Sequence, residues 1–188
     1  MSWMRKKLSR STSALHFHRV AILMCCFLCN NSTSLAQKLR PWQETNAIGT
    51  PPTERQGMGF VADGQKLFVF GGDESLLSGD MQDLHVFDTC TSAWQDLSLS
   101  IAGPPPMRRK GMGFANAGGK LYVFGGSISQ GGDFFAPGSI NDLDVFVPTT
   151  MSWESLSTPL SGNPPSAREG MGLASAAGSL YVFGGDRS

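Results

Sequence analysis

The hexapeptide Leu121-Tyr122-Val123-Phe124-Gly125-Gly126 runs four strand-favouring apolar residues into two glycines, and the chain writes it three times. The other copies are Leu67-Phe68-Val69-Phe70-Gly71-Gly72 and Leu180-Tyr181-Val182-Phe183-Gly184-Gly185. The first glycine of the pair recurs at 71, 125 and 184, in steps of 54 and 59. Trp recurs at 42, 94 and 153, in steps of 52 and 59. One strand ending in Gly-Gly says little. Three at a related period make this a repeat array, in which each unit buries its apolar face only against a neighbour.

The unit can be read in order. A Pro-rich turn precedes Arg, one variable residue and Gly-Met-Gly: Arg55-Gln56-Gly57-Met58-Gly59, Arg109-Lys110-Gly111-Met112-Gly113 and Arg168-Glu169-Gly170-Met171-Gly172. A Gly-containing turn follows, then the apolar strand with its Gly-Gly. A variable loop leads to a third strand, Asp83-Leu84-His85-Val86-Phe87 or Asp142-Leu143-Asp144-Val145-Phe146. A short turn and a Trp (Trp94, Trp153) open a fourth. The Leu-Tyr-Val-Phe run has no polar alternation, which suits a strand covered on both faces. Gly-Gly allows a bend where a Cβ would clash. The Trp supplies a large packing area between units, and the recurrent Met reads as core filler. The recurrent Arg reads as a hydrogen-bonding residue between units.

Four short strands per period of about 50 residues is the plan of a propeller blade. The order Arg, Gly, strand, turn, apolar strand with Gly-Gly, loop, Asp-Leu-x-Val-Phe strand, turn, Trp resembles the kelch repeat over residues 42–188. The fold this implies is all-β: a kelch-type β-propeller, incomplete, with two full four-stranded blades and parts of one or two more. Many kelch repeats carry His or another polar residue where this chain has Met58, Met112 and Met171, so inner-channel chemistry does not carry over with the fold. The units span about 53–99, 107–158 and 166–188, the last cut short, within a propeller segment of 51–188. Residues 37–50 form an approach segment with an outer strand expected at Trp42.

Residues 1–36 read as a targeting segment. A basic start (Arg5, Lys6, Lys7, Arg10, Arg19) precedes ten uninterrupted apolar residues, Val20 to Cys29. That length fits a signal-peptide core and is short for a bilayer span. Ser34 and Ala36 stand as the −3 and −1 residues of a cleavage site, so a secretory signal cut after Ala36 is expected. A signal anchor and an organelle transit peptide are the alternatives, since the segment is Arg- and Ser-rich and has no acid. Cleavage would remove Cys25, Cys26 and Cys29 and leave Cys90 without an internal disulfide partner. From Gln37 onward 10 basic residues face all 15 acidic ones, a net charge of −5, which points away from nucleic acid.

Two complete units and fractions of others fall short of a ring of 4–8 blades. A fragment, a truncated product, or several chains closing a ring would each account for the count. Taken alone, residues 37–188 would leave an apolar blade face and an unpaired edge exposed at the open end, open to self-association.

For function, long loops on a rigid scaffold are where binding residues gather. The second-to-third-strand loops and the between-blade connections emerge on one face. Binding candidates there are Phe134 and Phe135, as adjacent aromatic anchors, with Arg108, Asp73 and Glu74. The acids Asp73, Glu74, Asp80 and Asp83 read otherwise as a solvated loop cluster. The structural repeat residues are Arg55, Arg109, Arg168, Gly71, Gly72, Gly125, Gly126, Gly184, Gly185, Trp42, Trp94 and Trp153. No metal-spaced Cys/His cluster, nucleophile elbow or phosphate loop occurs, so no cofactor and no catalytic residue is assigned. Kelch-like blades also build copper enzymes of the galactose oxidase family, which need His and Tyr in the channel. Here His85, Tyr122 and Tyr181 occupy repeat positions held elsewhere by Phe68 or Asp144. The expected function is a non-catalytic protein-interaction scaffold, secreted or lumenal. The alternative is a piece of an oxidase-like or carbohydrate-active propeller whose chemistry lies in other blades.

Overall fold

The computed structural model describes residues 20–22, 43–74, 79–128, 138–157 and 162–187. Trp42, Phe134, Phe135 and all of residues 1–36 except 20–22 lie outside the described residues. Every described element is a strand, and the chain divides into two units, Met1–Thr45 and Asn46–Ser188.

In the first unit, β1 (Val20–Ile22) pairs antiparallel with β2 (Gln43–Thr45), Ile22 opposite Gln43. β1 comes from the apolar run of the leading segment, and β2 falls in the approach segment where the sequence places an outer strand.

The second unit contains the blades. Blade one is β4 (Gly59–Asp63), β5 (Lys66–Asp73), β6 (Asp80–Asp88) and β7 (Ala93–Asp96), an antiparallel meander with β3 (Ile48–Gly49) added outside β7. Blade two is β8 (Gly113–Ala117), β9 (Lys120–Phe124), β12 (Leu143–Val147) and β13 (Ser152–Ser155). Its middle hairpin extends past Gly-Gly as a small ribbon, β10 (Ser127–Ile128) with β11 (Gly138–Ser139). Blade three has two described strands, β14 (Gly172–Ala176) and β15 (Ser179–Phe183). The three strands opened by Gly-Met-Gly, β4, β8 and β14, are spatial neighbours and form the inner line of the array.

The first Gly of each Gly-Gly takes a positive φ, and in blade one it bulges the strand. In β5 the register with β6 skips at Gly71, which sits at φ +59°. A Cβ there would lie 2.8 Å from the Arg109 carbonyl oxygen of the next blade. The bend therefore lets the neighbouring backbone close in, and only glycine meets both demands.

A fifth line of chain, absent from the four-strand expectation, runs parallel along the outer strand. Ile48 N donates to Ser92 O at 3.0 Å in blade one; in blade two Ala102 N donates to Met151 O and Trp153 N to Ala102 O, both at 2.9 Å. Gly49 and Gly103 make this approach possible. Their φ angles are +91° and +78°, and a Cβ on either would lie 2.0 and 2.4 Å from the carbonyl oxygen of Trp94 and Trp153. The signal was in the sequence: a glycine stands eight residues before the first Gly of Gly-Met-Gly in all three units (Gly49, Gly103, Gly162).

The main core is the joint between blades one and two. One face of blade one gives Phe68, Phe70, Leu84 and Val86; the facing side of blade two gives Phe114, Leu121, Val123, Phe146 and Trp153, all buried. The Trp153 ring lies 5.2 Å from Phe70 across the joint and 5.3 Å from Phe146 in its own blade. Each fully buried aromatic or aliphatic residue here contributes on the order of 1.5–3 kcal/mol.

The outer faces differ. Phe70 and Phe124 are 0% and 4% exposed, but their counterpart Phe183 is 87% exposed. Phe114 is 8% exposed, whereas Phe60, at the same place in blade one, is 56% exposed. Burial follows the presence of a neighbouring blade, not the residue type.

Candidate functional site

The recurrent Arg builds the frame of the site. Arg109 is fully buried. Its Nη1 and Nη2 donate to Asp142 Oδ1 and Oδ2 at 2.5 and 2.8 Å, a bidentate pair. Nη1 also donates to Gly125 O at 3.1 Å and Nε to Met107 O at 2.9 Å. Arg55 repeats this with Asp83 at 2.6 and 2.9 Å and Gly71 O at 3.0 Å. Arg168 reaches Gly184 O at 2.8 Å and Ser166, with no carboxylate among its described partners. The side chain therefore ties the start of the first strand to the Gly-Gly bend and to the Asp that opens the third, all within one blade. The sequence suggests a bond between blades; that role falls to the Arg backbone, since Gly72 N donates to Arg109 O and Gly126 N to Arg168 O, each at 2.9 Å.

Between blades the variable residue after Arg reaches back to the residue after the previous Gly-Gly. Lys110 Nζ donates to Asp73 Oδ2 at 3.1 Å, which raises the Lys110 pKa, and Ser127 Oγ donates to Glu169 Oε2. Asp73 is thus no solvated binding acid. It is 7% exposed within β5 and holds the neighbouring blade. Asp80 is 6% exposed as well, so the loop-cluster reading fails for both. Their places next to the bend, where blades meet, exclude water.

On the long-loop side these ties frame a cleft of about 540 Å³. It is lined by Arg55, Glu74, Asp83, His85 and Arg108, among others, and so brings together the two binding candidates Glu74 and Arg108 from successive blades. Glu74 is exposed and Arg108 half-buried. At its floor His85, 4% exposed, pairs through Nε2 with Asp83 Oδ2 at 2.9 Å, and Nδ1 is buried without a hydrogen-bond partner. Burial opposes ionisation of Asp83, but the hydrogen bonds from His85 and Arg55 and their charges outweigh it and lower its pKa from 3.8 to about 2. In blade two Asp144 takes the place of His85, and burial with the adjacent Asp142 charge raises its pKa instead. The two blades therefore present different chemistry at one repeat position.

A group whose folded pKa is depressed stabilises the fold above its unfolded pKa and loses that contribution as pH falls through the folded value. For Asp83 the window runs from about 4 down to about 2. The contribution is about 1–2 kcal/mol once solvent screening is allowed for. Chemical denaturation should show wild type more stable than Asp83→Asn at pH 6, with the gap narrowing towards pH 2. A gap independent of pH would contradict the assignment.

A second cleft, of about 390 Å³, lies between blade two and the β14–β15 hairpin, lined by Phe124, Leu143, Leu173, Leu180 and Val182 with Pro164 and Pro165. Phe70, the counterpart of Phe124, is covered by Trp153. Among the described residues no group of three or more His, Cys, Asp or Glu is placed to hold a metal ion.

A family model for the KLHDC2/KLHL20/DRC7 Kelch-repeats domain matches residues 26–188. Kelch domain-containing protein 3 of Bos taurus is 30% identical over 159 residues, covering 84% of this chain and 41% of that protein. Host cell factor 2 of Homo sapiens is 28% identical over 153 residues, covering 80% and 18%. N-(sulfonatooxy)prop-2-enimidothioate sulfolyase of Thlaspi arvense is 30% identical over 139 residues, covering 73% and 37%. The chain spans less than half the length of these relatives.

Proposed function

The chain belongs to the kelch-repeat family, and from that premise we propose that it is a non-catalytic scaffold that binds a protein through the cleft bridging blades one and two. The observation that carries this reading is the cleft's construction. Its floor is a fixed Arg55–Asp83–His85 network, while Glu74, Gln82 and Arg108 line its walls. Mixed charge on a rigid, concave frame suits a polar peptide or loop, because complementary charges set register and orientation. Phe134 and Phe135, which lie outside the described residues, are proposed from the sequence alone as further apolar anchors.

The setting proposed is the secretory pathway or the cell exterior, from the basic and apolar pattern of residues 5–29 and the Ser34/Ala36 site. Cleavage after Ala36 would remove β1 and leave β2 on the mature chain. A second reading, catalysis by a larger propeller of which these blades form the frame, draws on the sulfolyase among the relatives.

One experiment addresses both parts. Expressed in a secreting host, the protein should enter the medium beginning at Gln37. A partner recovered with it should bind saturably. Arg108→Glu combined with Glu74→Lys should weaken that binding at least tenfold without lowering Tm. Retention of full affinity by the double variant would overturn the binding site; an intracellular product beginning at Met1 would overturn the setting.

A further inference from the structure

Taking the cleft that bridges blades one and two as the binding site, on which this inference rests, we propose that it selects a cation: a lysine or arginine side chain of the bound protein. The lining carries four carboxylates, Glu74, Asp80, Asp83 and Asp96, against two guanidinium groups, Arg55 and Arg108. A concave surface with an excess of one sign concentrates the field and favours the opposite charge. The hydrogen-bond inventory points the same way. Arg55 has five N–H donors and uses all of them inside its blade: Nε on Thr53 O, Nη1 on Gly71 O and Asp83 Oδ1, Nη2 on Thr53 Oγ1 and Asp83 Oδ2. It has none to offer an anion.

Acceptors remain. Glu74 and Asp96 are exposed. Among the described residues the bonds to Asp96 fall on Oδ1, which accepts from Ser98 N at 2.9 Å and Ser98 Oγ at 2.6 Å. Burial opposes ionisation of Asp96, but these bonds outweigh it and lower its pKa, so the carboxylate stays charged. His85 is an independent sign of a ligand. Its side chain lines the cleft and is 6% exposed. Asp83 is ionised and only accepts, so Nε2 carries the proton of that bond, and in the neutral ring Nδ1 is an acceptor. That acceptor is buried and unpaired, at a cost that a donor entering the cleft floor removes. An ammonium or guanidinium carries several N–H donors and no acceptor, so it suits the carboxylates and His85 Nδ1 alike. A carboxylate or phosphate would bring more acceptors to a site already rich in them.

The test is nuclear magnetic resonance of the 188-residue protein with isotopically labelled histidine. The probes are short peptides, blocked at both ends, that differ only in a central Lys, Arg, Gln or Glu. The Lys and Arg peptides should shift the His85 Nδ1 signal saturably, and more weakly as salt rises. The Gln and Glu peptides should leave it in place. Asp96→Asn with Glu74→Gln, both at exposed positions, should weaken binding of the Lys peptide by about tenfold or more without lowering Tm. A Glu peptide that binds as well as the Lys peptide, a double variant that binds as wild type does, or a His85 Nδ1 signal that no peptide moves would each overturn the proposal. Spermidine binding more tightly than the Lys peptide would assign the cleft to a small amine and overturn the protein side chain. The partner recovered from the secreting host separates the cation from the cleft. If Arg108→Glu with Glu74→Lys weakens its binding and Asp96→Asn with Glu74→Gln does not, the cleft stands and the cation falls. If neither pair changes its binding, both fall.

Discussion

Arg109→Ala is expected to cost about 3–5 kcal/mol of stability, and the same change at Arg168 about 1 kcal/mol or less. The two arginines stand at one repeat position and share the bonds to a Gly-Gly carbonyl and to the preceding turn. What separates them is burial and charge. Arg109 is fully buried and compensates Asp142 in a bidentate pair, with Asp144 3.7 Å away. Removing it strands two partly buried carboxylates, of which Asp144 already has its pKa raised by burial and by the adjacent Asp142 charge. Without Arg109 that pKa should rise further, so the loss should be greatest at high pH. Arg168 is only half-buried, and among the described residues no carboxylate depends on it. Urea denaturation of the two variants measures the difference directly. Equal losses would mean that the Arg–Asp pair is not what closes a blade.

Arg109→Lys separates charge from geometry. A lysine keeps the charge but cannot form the fork to Asp142 while also reaching Gly125 O and Met107 O. Most of the alanine loss should therefore persist.

The blade was legible because its signals are local. Gly-Gly, the apolar run before it and the Trp that opens the fourth strand mark the strands within a few residues, and the repeat confirms each against its copies. What escaped depends on neighbours. The side-chain partner of Arg55 lies 28 residues away at Asp83, and no local pattern links them. Asp73 reads as a loop acid until Lys110 of the next blade is placed against it. The parallel line along β7 and β13 was readable in principle from Gly49, Gly103 and Gly162, but a lone glycine before a Pro-rich turn looks like ordinary turn chemistry. Of the cleft, Glu74 and Arg108 were foreseen as single exposed candidates. Their meeting on one wall follows from the stacking of blades, and so does the buried His85 beneath them.

Burial, and hence local stability, is a property of the joint between blades. The three Gly-Gly strands test this because their sequences are nearly identical while their surroundings are not. Leu121, Val123 and Phe124 are 0–4% exposed between two neighbouring strands of blade two, while Tyr181 and Phe183 on β15 are 56% and 87% exposed. β9 is bonded on both edges, to β8 and β12, whereas among the described residues β15 pairs with β14 alone. Amide exchange from the native state reports the free energy of local opening, with a tenfold change in rate per about 1.4 kcal/mol. The most direct measurement is hydrogen exchange with mass spectrometry on the 188-residue chain, at concentrations below any self-association. The amides of 121–124 and 143–147 should be protected to near the global stability, and those of 179–183 should exchange at least a hundredfold faster. Equal protection of 121–124 and 180–183 would show that the strands are stable on their own sequence, and would contradict the blade-joint account.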